Sequence, residues 1–357
     1  MLPDRSFWSG RQVCVTGGTG FLGYQIVKRL LEYGASVRVF ALPPRRPHPL
    51  QKEPRVELIF GDVRDPLRLR QAVEDCGMIF HAAGVVAVWG PALRRVSDVH
   101  STGLRNLLDA ASGSARVVLT SSVVTVGAAH HQVILDEESP FALNRIKIDY
   151  VHAKRAAERL ALDEAGRGRD LVVTNPGYLV GPEDFDRSAM GEFCLRYWRG
   201  KIPIASPGGL NLVDARDVAT GHLLAAEHGR AGRRYILGGE NQTIPGLIAA
   251  LAEVGGLRPR IRSTLPYWSL AALAGCGEFR GFLTRRHPYP SLQHARLNRY
   301  YWFYRSDRAM EELGYEARPL RESLQDAHDW FSSFKTLRPR GMSGWLMRSS
   351  RDNQRAA

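Results

Sequence analysis

A tyrosine and a lysine four residues apart, Tyr150 and Lys154, form the most suggestive pair of reactive side chains in the sequence. They open a strongly helical segment that runs to Gly166, and this spacing places both side chains on one helix face. A phenol has an ordinary pKa of about 10, which is too high for acid–base chemistry near neutrality. A nearby ammonium favours the phenolate, so we expect Lys154 to lower that pKa. The pair therefore predicts a group that exchanges a proton with a substrate oxygen.

A run of hydroxyl side chains, Thr120, Ser121 and Ser122, closes the strand predicted at residues 116–121. At the carboxyl end of a parallel strand, a hydroxyl can donate a hydrogen bond to a reacting carbonyl and polarise it. Serines also cap strand-to-loop turns without any catalytic role. The position of the run ahead of the tyrosine and lysine favours the functional interpretation.

A glycine-rich segment, residues 16–23 with the sequence TGGTGFLG, follows a predicted strand and opens an amphipathic helix. Gly18, Gly20 and Gly23 fit the pattern GxGxxG, and Gly17, Gly20 and Gly23 fit GxxGxxG. Such glycines allow a tight turn, close approach of the backbone to a pyrophosphate and close packing of helix on strand. The free N–H groups at the helix start favour the phosphate charge. The segment therefore predicts a dinucleotide site.

The end of the second predicted strand indicates which dinucleotide the site prefers. An acidic residue there would bind the ribose 2′-hydroxyl of NAD, but residues 39–46 read VFALPPRR and contain no acid. Arg45 and Arg46 could instead bind a 2′-phosphate, which guanidinium groups do well. The stretch favours NADP and leaves NAD open, because both arginines could also be solvated in a proline-rich loop.

Short β-branched segments alternate with helical patterns through the first half of the chain. We predict strands at residues 12–16, 36–40, 56–60, 78–81, 116–121 and 170–174. The first helical segment has an apolar stripe formed by Leu22, Ile26, Val27, Leu30 and Leu31. This alternation predicts an α/β fold, a Rossmann-type doubly wound parallel sheet with helices on both faces. Ligands of such sheets bind at the carboxyl ends of the strands.

The alternation weakens after Gly181, which suggests how the chain is organised. We predict a dinucleotide-binding core at residues 10–180 and a smaller, interleaved C-terminal substrate-binding part at 181–330. Within the latter, residues 211–240 are expected to return to the core. Residues 331–357 hold six Lys or Arg and one acid, which predicts a basic, flexible tail.

Composition excludes several classes of protein. The 357 residues are 44% hydrophobic and 24% charged, which rules out wholesale disorder and collagen-like or disulfide-scaffold classes. The 49 basic and 36 acidic residues give a formal charge of +13, which could attract nucleic acid, anionic lipid or a phosphorylated ligand. No nucleic-acid recognition motif accompanies that charge, so we expect a small-molecule substrate and no nucleic-acid partner.

Cysteine spacing and apolar runs bear on metals and on location. The four cysteines lie far apart and form no CxxC pair, so we predict free thiols and no metal site. The N-terminus lacks a signal-peptide core, and the longest apolar stretch, at residues 267–276, is too short to span a membrane. We expect a soluble cytoplasmic protein without a transmembrane segment. Contact with a membrane surface and assembly as a homodimer stay open.

From residue 12 to residue 330 the chain resembles the extended short-chain dehydrogenase/reductase family. The motifs that carry the resemblance are the glycine loop, GDV at 61–63, HAAG at 81–84, Ser122 ahead of Gly127, the pair Tyr150 and Lys154, and NPGY at 175–178. Within the family it is most similar to the dihydroflavonol-reductase and 3β-hydroxysteroid-dehydrogenase-like branch, which includes bacterial hopanoid-associated sugar epimerases.

The resemblance implies catalytic roles for Ser122, Tyr150 and Lys154. Ser122 is preferred over Ser121 because it lies five residues before Gly127, the family's usual spacing. The resemblance also implies that Lys154 binds the nicotinamide ribose. Together with the glycine loop and the two arginines, the predicted cofactor-binding residues are Gly17, Thr19, Gly20, Phe21, Leu22, Gly23, Arg45, Arg46, Asp62, Val63, Ala82, Ala83, Gly84, Lys154, Asn175 and Pro176.

Two positions depart from the family pattern. His100 stands where family members usually carry an asparagine with a structural or proton-relay role, which puts that relay in doubt. Leu210 stands where members that use nucleotide sugars usually carry a phosphate-binding arginine. A leucine cannot bind phosphate, so this position argues against a nucleotide-sugar substrate.

We therefore expect an NAD(P)-dependent oxidoreductase that reduces a carbonyl, or oxidises a secondary alcohol, on a fairly apolar small molecule. Apolar and aromatic side chains at residues 267–276 and 300–304 would suit its pocket, or could be ordinary core. An NAD(P)-dependent sugar epimerase or dehydratase is the enzymatic alternative. A non-catalytic dinucleotide-sensing protein is the third, although such proteins typically lack the tyrosine–lysine pair.

Overall fold

The computed structural model describes residues 1–44, 46–86, 93–202, 206–258, 266–284 and 291–334. The strands are β1 Gln12–Thr16, β2 Ser36–Ala41, β3 Val56–Phe60, β4 Met78–His81, β5 Arg116–Thr120, β6 Ile134–Leu135, β7 Leu171–Pro176, β8 Tyr178–Val180, β9 Gly209–Asp214, β10 Arg234–Leu237, β11 Glu240–Thr243 and β12 Tyr301–Tyr304. The helices are α1 Arg5–Trp8, α2 Phe21–Glu32, α3 Pro66–Val73, α4 Leu93–Ser97, α5 Gly103–Ala110, α6 Asp149–Gly166, α7 Ala189–Trp198, α8 Ala215–His228, α9 Ile244–Val254, α10 Tyr267–Thr284, α11 Leu292–Leu297, α12 Asp307–Leu313 and α13 Leu320–Ser333.

Seven strands form one parallel sheet in the order β10-β7-β5-β4-β1-β2-β3. The predicted Rossmann-type sheet is therefore confirmed. Three of the six predicted strands have the predicted ends, and the other three differ by one or two residues. The largest difference is at β7, which continues to Pro176 because Ile236 and Leu237 of β10 pair with Asn175 and Pro176. This extension carries the sequence NPGY to the carboxyl edge of the sheet, where ligands of such folds bind.

Both faces of this sheet are buried, as a parallel sheet requires. Val13 and Val15 of β1 belong to the apolar core shared with α2 and α8. Cys14, between them, belongs to the core on the opposite face, shared with α3, α5 and α6. Alternate residues of the strand thus face alternate layers, and the helices on the two faces hold the strand ends in fixed positions.

A second, smaller sheet has the order β11-β9-β12-β6, with β8 added beside β9. The segment predicted to return to the core, residues 211–240, is divided between the two sheets. β9 lies in the second sheet, whereas α8 packs against the first and β10 joins its edge. The chain passes between the two layers because β9 leads directly into α8, whose N-terminus is capped by Asp214.

The two apolar segments predicted for the pocket, residues 267–276 and 300–304, and the predicted tail differ in how deeply they are buried. Within β12, Trp302 and Tyr304 are buried core residues, whereas α10, which contains residues 267–276, is partly exposed. The predicted tail starts too early at residue 331, because Phe331 is buried at the end of α13. Residues 335–357, and with them the rest of the predicted tail, lie outside the described residues. Within the described ranges, no helix is both long and apolar enough to cross a membrane.

Candidate active site

The glycine loop joins β1 to α2 and is shaped by its own backbone. Gly17 has φ +71°, and a Cβ there would lie 2.7 Å from the Cα of Ala83. A Cβ at Gly23 would overlap the carbonyl oxygen of Gly17. Glycine at these two positions is therefore required by the fold itself.

Gly20, at the N-terminus of α2, is different. A Cβ there would meet only the Gly17 carbonyl oxygen, at 3.3 Å, so the protein leaves space in front of the helix. No side chain caps the first turn of α2, so its N–H groups stay available to an anion. The loop thus fits a dinucleotide pyrophosphate. Of the three glycines, Gly20 is the one whose missing side chain would leave room for the ligand.

A buried polar pair joins the ends of β1 and β4. The Oγ1 atom of Thr16 lies 2.8 Å from Nδ1 of His81, and it accepts a hydrogen bond of 3.3 Å from the backbone N–H of Ala83. These contacts fix the segment containing Ala82 and Ala83 beside Gly17. The predicted HAAG segment and the predicted glycine loop are thereby brought together at one edge of the sheet.

The residues predicted to bind adenine and the 2′-phosphate follow β3 and β2. Asp62 forms an ion pair of 2.6 Å with Arg64, which holds the pKa of that carboxyl below its usual range. Val63 is buried, and its carbonyl accepts a hydrogen bond from Asn106 at 3.1 Å. β2 ends at Ala41 without a carboxylate, and Arg46 is exposed. Arg45 lies outside the described residues.

The first turns of α6 carry Tyr150, Lys154 and Glu158, each four residues after the last. Lys154 is buried, and its Nζ donates a hydrogen bond of 2.8 Å to the carbonyl of Thr120 at the end of β5. Burial lowers the pKa of Lys154 to about 8, while the neighbouring Glu158 raises it. The side chain is therefore mainly an ammonium at neutral pH, although its pKa lies only about one unit above that pH.

The pKa of the Tyr150 phenol is raised, whereas the sequence predicted that it would be lowered. Burial raises the pKa of Tyr150 to about 12, and the nearby Ser122 hydroxyl acts in the opposite direction. The lowering of this pKa expected from Lys154 is therefore wrong for the free protein: burial dominates, and the group that opposes it is Ser122 and not Lys154. The phenol is therefore protonated at neutral pH in the free protein, which suits a proton donor.

The two adjacent serines, Ser121 and Ser122, differ in burial and in the groups that they contact. Ser121 is buried, and its hydroxyl donates to the Glu158 carboxylate at 2.5 Å. Ser122 is partly exposed, and its hydroxyl is near enough to the Tyr150 phenol to oppose the rise of that phenol's pKa. Ser122 also caps the short 3₁₀ turn Val123–Thr125, so the turn interpretation and the functional interpretation apply to the same residue. Of the two hydroxyls, only that of Ser122 is placed to meet a substrate beside the phenol.

Glu158, which sequence reasoning missed, accepts the hydrogen bonds that hold several residues of the site together. Its carboxylate accepts hydrogen bonds from Thr125 at 2.6 Å and Asn175 at 2.7 Å, and it pairs with Arg234 at 3.1 Å. The Asn175 amide also donates to the Ser122 carbonyl at 3.1 Å, so its N–H groups are used within the protein. A third polar residue at the same four-residue spacing on α6 was the signal that could have indicated Glu158.

Three buried histidines surround Lys154. Burial, followed by the nearby Lys154 charge, lowers the pKa of His81 and of His100 to about 3. Burial also lowers the pKa of His222 to about 4, and its Nε2 lies 2.9 Å from the hydroxyl oxygens of Thr120 and Thr174. All three imidazoles are therefore neutral at physiological pH, and Lys154 carries the positive charge among them.

His100, the departure from the family pattern, contacts Tyr150 of the predicted catalytic pair. Its ring packs edge-on against Tyr150 with centroids 5.9 Å apart, and its Nε2 lies 3.1 Å from the carbonyl of Val85. His100, His81 and Lys154 line a cavity of about 10 Å³. That volume is about the size of one water molecule.

The parallel strands therefore bring most of the predicted residues to one edge of the sheet. β1 contributes the glycine loop, β4 the HAAG segment, β5 Ser122 and β7 Asn175 and Pro176. α6 crosses this edge and adds Tyr150 and Lys154. The arrangement provides a phosphate-binding helix terminus, a hydroxyl donor, a protonated phenol and a buried ammonium.

Comparison with known proteins identifies the family. The sequence model of the NAD dependent epimerase/dehydratase family matches residues 13–238, so the chain belongs to that family. Its structure is similar to the crystal structure of gox2253, with a TM-score of 0.79 and 29% identity over 92% of this chain and 100% of that one.

Two curated relatives narrow the comparison. A Synechocystis protein named as a dihydroflavonol 4-reductase is 34% identical over 89% of this chain and 94% of its own length. Sterol demethylase protein B of Methylococcus capsulatus is 34% identical over 92% of this chain and 98% of its own length. These matches confirm the resemblance to the extended short-chain dehydrogenase/reductases and to their dihydroflavonol-reductase branch.

Proposed function

We propose that the protein is an NADP-dependent reductase that converts a carbonyl of an apolar, ring-bearing small molecule to a secondary alcohol, with Tyr150 as the proton donor. The observation that carries the proposal is the placement of Tyr150 beside Ser122 and one helical turn before Lys154. The Nζ atom of Lys154 is in turn held on the Thr120 carbonyl at the end of β5. The reverse reaction, oxidation of the alcohol, would use the same groups.

The site fits the cofactor through residues already described. The Gly17–Gly20–Gly23 backbone and the N-terminus of α2 would hold the pyrophosphate, and Asp62 and Val63 the adenine. Lys154 would bind the nicotinamide ribose. When bound, the reduced nicotinamide supplies a hydride to the substrate carbon. NADP is favoured over NAD because β2 ends without a carboxylate and Arg46 is exposed near that end.

The side chains of this protein would handle the proton. The Ser122 hydroxyl donates a hydrogen bond to the carbonyl oxygen and polarises it. As the carbon gains the hydride, the Tyr150 O–H bond breaks and its proton passes to that oxygen, so the C=O group becomes CH–OH. The resulting phenolate is stabilised by the Lys154 ammonium, which Glu158 helps to keep protonated. Proton return to Tyr150 completes the cycle.

The substrate class is inferred from two features. The relatives just described are named for a dihydroflavonol and a sterol, which both contain fused rings. Leu210 is a buried core residue of β9, and no phosphate-binding side chain is available at that position. Both features favour an apolar ring ketone over a nucleotide sugar.

A cofactor-oxidation screen tests this proposal. Purified protein is mixed with NADPH or NADH and with ketosteroids, flavanonols, simple ketones or nucleotide-sugar intermediates, and absorbance of the reduced cofactor is followed. The proposal predicts net NADPH oxidation with a ring ketone. Conversion of a nucleotide sugar without net oxidation would establish an epimerase instead. Cofactor binding without hydride transfer to any substrate, measured with labelled cofactor, would favour a dinucleotide-sensing protein.

A further inference from the structure

Helix α10 is apolar on two opposite faces. Leu270 and Ala274 are buried against Ala295 of α11. Phe279 and Leu283 are instead 68% and 66% exposed. At about 100° per residue, Phe279 and Leu283 lie on the side of the helix opposite to Leu270 and Ala274. The inner face explains how α10 is attached to the protein, but it does not explain the outer face.

The outer face forms a continuous apolar patch. Trp268 is 74% exposed and lies on the same side as Phe279 and Leu283, within an arc of about 60°. The exposed residue Ala272 lies within this arc, and the exposed residue Cys276 lies about 20° beyond it. Large apolar side chains scattered singly are ordinary on a protein surface, whereas a contiguous stripe along one helix indicates a binding surface.

The charges near this stripe indicate what it binds. The acidic residue of α10, Glu278, is turned inward and accepts a hydrogen bond of 2.8 Å from the backbone N–H of Leu292. Arg280 is exposed at the edge of the stripe, and the sequence continues with Arg285 and Arg286. The whole chain has a formal charge of +13. An apolar stripe bordered by cations matches an anionic lipid surface.

We propose that α10 is a membrane-docking helix that lies in the surface of an anionic lipid bilayer. Trp268, Phe279 and Leu283 insert among the acyl chains, and Arg280 at the edge of the stripe contacts the lipid phosphates. The 18-residue helix is about 27 Å long, so it offers its whole outer face to the bilayer without crossing it. This inference goes beyond the proposed function and does not depend on it.

The position of α10 suggests what docking would do for catalysis. α11, which packs on α10, is linked through Arg296 to the carbonyl of Lys147 at 3.1 Å, just ahead of α6. Leu297 at the end of α11 packs against the same apolar core as Tyr150. If the proposed function holds, docking through α10 would bring the enzyme to a bilayer in which an apolar ring ketone is concentrated.

Vesicle sedimentation with the full-length protein tests the docking. The vesicles are phosphatidylcholine alone or a mixture of phosphatidylcholine and phosphatidylglycerol. The test variant is Phe279→Ser/Leu283→Ser, and the matched control is Leu67→Ser/Met310→Ser, at two other exposed apolar positions (75% and 55% exposed). Thermal unfolding and dinucleotide affinity verify that each variant is folded. No step requires turnover, so the result is independent of the reductase proposal.

We expect the unmodified protein and the control variant to sediment with the anionic vesicles. The test variant should bind them at least about tenfold more weakly, because two apolar side chains are lost from the bilayer contact. Trp268→Ser, which should also weaken binding, replaces the paired variant if that variant fails to fold. Unmodified protein that stays in solution with both vesicle types overturns the proposal. Equal binding by test and control variants does so as well, as would loss of a dimer in the test variant without vesicle binding by the unmodified protein.

Discussion

The glycine loop and α10 lie at opposite extremes of packing in this molecule. In the loop, a single added carbon at Gly17 would come within 2.7 Å of the Ala83 backbone. On α10, three large apolar side chains project from the protein with most of their surface exposed. The residue types of the loop are dictated by nearby backbone atoms, which leave no room for a side chain at Gly17 or Gly23. α10 offers a surface of side chains, and their use depends on what lies outside the chain.

The largest expected effect is on hydride transfer, at the candidate active site rather than in the loop or on α10. Tyr150→Phe keeps the ring and its packing on His100 but removes the transferable proton. Hydride transfer should fall by about two to four orders of magnitude, while cofactor affinity is retained. Tyr33→Phe, the same change at the end of α2, is the control and should have no effect. Near-normal turnover in a folded Tyr150→Phe protein would show that the acid lies elsewhere.

The second prediction distinguishes a glycine required for folding, Gly23, from a glycine expected to be required for dinucleotide binding, Gly20. Gly20→Val should weaken dinucleotide binding by about a hundredfold, because its side chain would occupy the space of the pyrophosphate. It should cost less stability than Gly23→Val, because its Cβ meets only the Gly17 carbonyl oxygen, at 3.3 Å. Gly23→Val should lower the free energy of unfolding by about 1–3 kcal/mol or more, because its Cβ overlaps the Gly17 carbonyl. Calorimetry and thermal unfolding measure both. Equal losses of stability in the two variants would contradict this division.

The third prediction concerns Lys154 and the residue beneath it. Since the pKa of Lys154 is about 8, its ammonium is present below pH 8 and is lost above it. Reduction should therefore be fastest below pH 8 and slow as the pH rises further. Glu158→Gln removes the charge that raises this pKa, so the decline should begin at lower pH. Turnover at neutral pH should also fall about tenfold as the hydrogen bonds to Ser121 and Asn175 weaken.

Asp163→Asn is the control for that pH profile, because it neutralises an exposed carboxylate on the same helix. Its profile should match that of the unmodified protein. An unchanged profile in Glu158→Gln would show that Glu158 is structural and does not tune Lys154.

The smallest expected effect concerns the choice of dinucleotide. The variant Arg45→Ala/Arg46→Ala should weaken NADPH binding by up to about tenfold, since an exposed guanidinium–phosphate contact is worth little more than 1 kcal/mol. NADH binding should be unchanged because it has no 2′-phosphate. Titration of both cofactors measures the ratio. Equal losses for the two would mean that neither arginine binds the 2′-phosphate.

Much of the fold could be predicted because its signals are local. The glycine pattern, the strand and helix periodicities and the four-residue spacing of Tyr150 and Lys154 all lie within short stretches of chain. Local patterns also set the ends of most strands. β7 was the exception, because its last two residues are ordered by pairing with β10, more than 50 residues away in sequence.

The sequence by itself determined the Rossmann-type sheet and the glycine loop between β1 and α2, and it predicted Tyr150 and Lys154 as the proton-transfer pair, because each of these signals depends on neighbours in the chain. Only the tertiary structure decided that burial raises the pKa of Tyr150, and that Glu158 joins Ser121, Asn175 and Arg234 beneath it. It alone separated the exposed face of α10 from its buried one. Burial and long-range pairing are properties of surfaces that meet, and no local pattern of residues specifies which surfaces those are.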